Sequence, residues 1–160
     1  MRWLKKEACG KWIVFYILCG VAIIITYDFG MFSLLNFSHI DTSNMSSGVA
    51  PIDKTPMFFL SMLISAIFEE AVFRLLPLYL AVTCGLSTKK VIFVAVISSV
   101  LFGYLHGNAF NLIFQGIGGL LFSLIFLKCG GLHFHFWKAF SVSTIVHLLF
   151  NSIIVLIVLM

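Results

Sequence analysis

Charge is scarce in this chain: Asp and Glu occur six times and Lys and Arg ten times in 160 residues. Proline occurs three times, and the four cysteines, Cys9, Cys19, Cys84 and Cys129, lie far apart with no paired spacing. Each shortage excludes something. Soluble domains carry about 25% charged residues, against 10% here, so a separate water-soluble domain has no material to be built from. Scattered cysteines exclude a zinc ribbon or a CxxC redox motif and favour reduced thiols over disulfides. There is no H-E-x-x-H zinc helix, no G-x-S-x-G nucleophile elbow and no mid-span aspartate pair; Asp28 stands at a span end without a partner aspartate. Internal repeats and low-complexity segments are absent too.

What the chain has instead is apolar mass. Hydrophobic residues make up 61% of it, and the mean hydropathy is +1.12. Runs long enough to cross a hydrocarbon core, near 20 residues each, can be drawn five times, over about 12–29, 57–83, 91–106, 109–127 and 138–160. The expected fold is all-α, a polytopic membrane helical bundle of about five transmembrane helices. Residues 1–56 read as an anchor helix with a polar connector over 30–55, and 57–160 as the core. The basic start before the first run resembles a secretory signal, but the run is long and lacks a small-residue cleavage site, so a retained anchor is expected.

The net charge of +4 does not point to nucleic acid, because position explains it. Arg2, Lys5, Lys6 and Lys11 precede the first run, Lys89 and Lys90 lie between the second and third, and Lys128 and Lys138 lie between the fourth and fifth. Alternate loops therefore carry the basic residues. By the positive-inside rule the N-terminus is cytoplasmic and the C-terminus extracytoplasmic in a multi-pass cell-membrane protein.

Against that background AIFEEAVFRLLPLYL, residues 66–80, is out of place. Each charged side chain at mid-membrane costs roughly 2.5–3.5 kcal/mol on insertion scales, so Glu69, Glu70 and Arg74 need compensation. Residues four apart share a helix face, which pairs Glu70 with Arg74. Glu69 points about 100° away, a carboxylate without that partner and free to take a proton. Pro77, one turn beyond Arg74, is expected to kink the span or end its regular part.

Two further constellations stand beside it. The third run ends in FGYLHG, with Phe102 and His106 four apart; the fifth contains HLLFN, with His147 and Asn151 four apart. Counted from the cytoplasmic ends at about 1.5 Å per residue, Glu69, His106, His147 and Asn151 share a level to within a turn. Polar side chains at one depth imply a wet cavity inside the bundle. Asn111 and Gln115, four apart on the fourth run, either line that cavity or tie helices together, and Gly116, Gly118 and Gly119 read as a close-packing face. His133 and His135 read as interfacial residues.

Hydrolysis of a peptide bond needs an activated water and a site for the oxyanion. Glu69 suits the general base, His106 can orient the same water, and His147 with the Asn151 amide can donate to the oxyanion. No cofactor is required by that scheme; the alternative is a divalent metal such as zinc, for which Glu and His are good ligands and Asn a poor one. Glu70 and Arg74 support the base, or simply lock helices together.

The three motifs also carry a family resemblance. EEAVFR, FGYLH and HLLFN, in order on spans two, three and five, resemble the EExxxR, FxxxH and HxxxN motifs of the CAAX protease and bacteriocin-processing group, also called CPBP or Abi. The resemblance runs from about residue 57 onward. It implies a glutamic intramembrane endopeptidase with Glu69 as base, His106 as its partner, His147 and Asn151 at the oxyanion, and Glu70 and Arg74 ordering the first motif. The substrate it implies is a lipidated or membrane-associated protein or peptide in the lipid bilayer. A non-catalytic alternative in the same group is a bacteriocin self-immunity protein or other membrane partner.

Overall fold

The computed structural model describes residues 2–37, 56–107 and 109–159. A short 3-10 turn, Arg2–Lys5, leads into α1, Lys11–Phe37. The next helical stretch runs in three pieces: α2, Pro56–Glu70, a π turn, Ala71–Leu75, and α3, Leu76–Thr83. Then follow α4, Thr88–Leu105, α5, Ala109–Lys128, a 3-10 turn, Gly131–His133, and α6, Phe136–Leu159. No strand occurs among the described residues. The chain is an all-helical, multi-pass membrane protein. Among the described residues four helices are long and apolar enough to cross a bilayer, over Lys11–Leu35, Thr88–Leu105, Asn111–His133 and Phe136–Ile157. The remaining stretch, 56–83, is divided by its π turn into pieces that are individually shorter.

The first helix corrects one expectation. It continues to Phe37 rather than stopping near residue 29, so the first eight residues of the expected connector are helical. Gly30 does not end it, because inside hydrocarbon a chain that leaves the helix forfeits amide bonds that no water replaces. The rest of that connector, residues 38–55, lies outside the described residues.

Lipid offers no hydrophobic drive for helix association, so close packing and polar ties must supply it. The tightest approach is between α4 and α5. A methyl group on Gly103 would lie 2.8 Å from the Gly116 amide nitrogen and 2.9 Å from the Cα of Leu112; with glycine at both positions, backbone meets backbone. Two apolar clusters fill the rest of the bundle. One joins α3, α4 and α5 through Leu78, Val91 and Phe126; the other joins α1, α5 and α6 through Ile24, Phe122 and Val146. Large apolar side chains such as Phe68, Phe93 and Leu101 face outward, as lipid-facing positions should.

At the end of the bundle where α1 and α6 begin, the N-terminal segment is tied down by polar contacts. Lys128 is only 5% exposed; its ammonium donates to the carbonyls of Trp3 and Lys6 and sits 4.8 Å from the Trp3 ring centroid. The Ala8 amide donates to the Lys128 carbonyl at 3.0 Å. Lys138 donates to Glu7 Oε1 at 2.6 Å and to the Ala8 carbonyl at 2.9 Å, and His135 Nδ1 lies 2.9 Å from Glu7 Oε1. His135 is thus a partner of Glu7, beyond its expected interfacial place.

Glu7 gives this tie a pH dependence. Burial pushes its carboxyl up, but hydrogen bonds and charge from Lys138 and His135 outweigh that and hold it below the ordinary value of 4.5. A carboxyl depressed in the folded state adds stability above its unfolded value and loses that contribution as pH falls through the folded one. Trp3 fluorescence in detergent should therefore stay constant from neutral pH down to about 5 and change below the ordinary carboxylate range. A Glu7→Gln variant should lack that acid transition; its persistence would show that another group controls the segment.

Candidate functional site

The first motif closes α2 and opens the π turn. Pro77 has no amide, and its ring crowds the carbonyl four residues back; the helix responds with a widened turn in which the Leu76 amide reaches the Ala71 carbonyl, five residues earlier. Such π bulges recur at functional positions. Here the turn contains Arg74 and begins directly after Glu70.

Glu70 and Arg74 are both fully buried, with Arg74 Nη1 3.4 Å from Glu70 Oε1. The guanidinium makes no hydrogen bond of good geometry within the protein. It is held instead by charge and by aromatic faces, 4.1 Å from the Phe102 centroid and 5.4 Å from that of Phe122. Gly119 makes the space, since a methyl there would come within 2.6 Å of Arg74 Nη2. The glycines of α5 thus pack in different directions, Gly119 toward Arg74, Gly116 against Gly103 of α4 and Gly118 toward Ile24 of α1.

His147, on α6, stands between the two glutamates. Its Nδ1 lies 3.0 Å from Glu70 Oε1, a bond in which the imidazole N–H donates to the carboxylate. That orients Nε2 toward Glu69, whose Oε2 is 3.6 Å away. The ring stacks on Phe122 at 4.7 Å and an interplanar angle of 22°. Glu69 is less enclosed, its side chain 20% exposed, and its other oxygen accepts a hydrogen bond from Ser65 Oγ at 2.6 Å.

These contacts change the expected arrangement. Glu69 has a partner after all in Ser65, one turn earlier on its own helix. His147 is not set apart from the carboxylates but bridges them, one ring nitrogen to each. His106 has its Nδ1 2.7 Å from the Phe102 carbonyl on its own helix, with its ring edge-on to Phe102 at 4.4 Å; no direct bond to Glu69 appears among the described residues. The two imidazoles meet through Phe102, which also lies edge-on to His147 at 6.2 Å. Asn151, one turn beyond His147, is half-buried, as is Gln115. Asn111 donates to the His106 carbonyl, joining the start of α5 to the end of α4.

Sequence reasoning missed Ser65, although serine four residues before a carboxylate on a helix is itself a signal. Phe102, which the sequence offered as possible cavity lining beside Asn111 and Gln115, is fully buried and packs against Phe73, His106, His147 and Arg74. No three His, Cys, Asp or Glu side chains among the described residues converge closely enough to hold a metal ion. Chemically, the cluster offers a partly open carboxylate facing an imidazole whose far side is anchored by a buried ion pair.

No curated protein and no solved structure matches the chain significantly. A family model described as type II CAAX prenyl endopeptidase Rce1-like matches residues 51–153, from just before α2 to just past Asn151. That span takes in Glu69, Glu70, Arg74, His106, His147 and Asn151, and the chain belongs to the Rce1-like family of type II CAAX prenyl endopeptidases.

Proposed function

We propose that the chain hydrolyses a peptide bond of a lipidated or otherwise membrane-associated protein or peptide, using a water activated by Glu69 without a metal. The observation that carries this reading is the 3.6 Å separation between Glu69 Oε2 and His147 Nε2, with the far side of each group already committed. Ser65 occupies Glu69 Oε1 and Glu70 occupies His147 Nδ1. A water can touch both remaining atoms at once.

In the reaction, Glu69 accepts a proton from that water as its oxygen bonds to the scissile carbonyl carbon. His106, its Nδ1 tied to Phe102, presents Nε2 to the same water. The oxyanion is met by the Asn151 amide and by His147 Nε2–H in the imidazolium form. With Glu69 protonated, the negative charges of Glu70 and the oxyanion then balance the positive charges of His147 and Arg74. When the C–N bond breaks, the proton held by Glu69 passes to the leaving amine, which restores the carboxylate. The end carrying Lys128 and Lys138 faces the cytoplasm by the positive-inside rule.

The test compares membrane peptides from cells carrying the native chain with those from cells carrying Glu69→Gln. A precursor should accumulate in the variant alone, and cleavage by the reconstituted native protein should survive metal chelation. Identical peptide sets, or a partner-binding or self-immunity role untouched by Glu69→Gln, would assign the fold a non-catalytic use.

A further inference from the structure

We propose that Ser98 is a positioning residue for this site: its hydroxyl replaces the backbone amide that Pro77 lacks and thereby holds the π turn that presents Glu70 and Arg74 to His147. The kinetic half of this inference rests on the peptidase reading above.

In an uninterrupted α-helix the carbonyl of residue 73 accepts from the amide of residue 77. Proline removes that donor, and inside a membrane the orphaned carbonyl must find another. Ser98, on α4 and 6% exposed, donates to the Phe73 carbonyl at 2.5 Å. Its neighbour Ser99 shows the contrast, bonding the Ala95 carbonyl of its own helix at 2.7 Å. Ser99 also lies 3.5 Å from Ser123 Oγ on α5, so among the described residues Ser98 is the member of the pair that ties α4 to the π turn.

The residue it secures is well placed to transmit order. The Phe73 ring packs edge-on against Phe102 at 5.3 Å, and Phe102 lies under the Arg74 guanidinium and beside both imidazoles. Ser98 therefore reaches the reacting groups through Phe73 and touches none of them. A cavity of about 300 Å³ beside Ser98, Phe73 and Pro77 leaves room for a methyl group, so threonine can keep the hydroxyl in place.

The experiment uses the full chain in lipid nanodiscs as wild type, Ser98→Ala, Ser98→Thr, Pro77→Ala and the Pro77→Ala/Ser98→Ala pair, with kcat, KM and the thermal midpoint measured for each. Ser98→Ala should lower kcat about tenfold or more, since small misplacements of reacting groups carry losses of this order, with KM little changed. Ser98→Thr should restore kcat. In the Pro77→Ala background, where residue 77 regains an amide for Phe73, adding Ser98→Ala should alter neither kcat nor midpoint. The proposal is overturned if Ser98→Ala costs the same in both backgrounds, if threonine fails to restore kcat, or if Ser98→Ala retains wild-type kcat. A wild type that cleaves nothing overturns the positioning role together with the peptidase reading. The midpoints separate that failure from one of the bond itself, because a loss confined to the proline background still identifies Ser98 as the substitute donor.

Discussion

Arg74→Met is expected to destabilise the folded protein by about 3–5 kcal/mol, the range for removing one partner of a buried ion pair. Glu70 is fully enclosed, and without the guanidinium its carboxylate loses the Arg74 charge and keeps the His147 imidazole and the Ser143 hydroxyl. The aromatic faces of Phe102 and Phe122 that now attract a cation would instead meet a thioether, which packs well but carries no charge. The cost should therefore come from Glu70, not from lost packing. Pairing Arg74→Met with Glu70→Gln should recover most of the stability, because the charge left stranded is then gone as well. Equilibrium unfolding in detergent measures both. A single-variant loss below about 1 kcal/mol, typical of exposed pairs, would mean that water reaches the pair.

Glu69→Gln should lower the rate of peptide-bond cleavage by a factor on the order of 10²–10⁴, the usual contribution of a positioned general base, while leaving the fold intact. The two side chains have nearly the same shape, and the amide oxygen can still accept from Ser65, which now bonds Glu69 Oε1 at 2.6 Å. What glutamine lacks is a basic oxygen toward His147 Nε2, 3.6 Å away. Stability and activity thus separate between neighbouring residues. In the proposed mechanism position 70 carries the structural charge, and position 69 the reactive one.

That division was partly visible in the sequence. The spacing of four paired Glu70 with Arg74, and the apolar runs located the helices, because hydropathy reports which residues lipid will accept. The same signal is blind to where a helix ends, since residues 30–37 have the same hydropathy whether they continue the helix or begin a connector. The π turn was only half legible: Pro77 announced a missing amide, but whether a helix kinks, stops or widens depends on which neighbour offers a donor. Ser98, 25 residues away on another helix, could not be singled out among the serines. His147 was recognised as a site residue, yet its place between the two glutamates depends on how α6 is rotated against α2, which periodicity does not fix. The contacts of Glu7 with Lys138 and His135 join residues more than 120 apart, and no local pattern encodes them.

Glu69 and His147 are proposed to act as one unit, Glu69 on the water and His147 on the oxyanion that the water's attack creates, and the most direct test is a double-mutant cycle on cleavage by the protein reconstituted in lipid. Glu69→Gln and His147→Gln should each remove most of the activity, and the double variant should be no slower than the slower single variant within about threefold, because residues that act as a unit do not add their losses. Losses that multiply in the double variant, or wild-type cleavage by Glu69→Gln alone, would contradict the account.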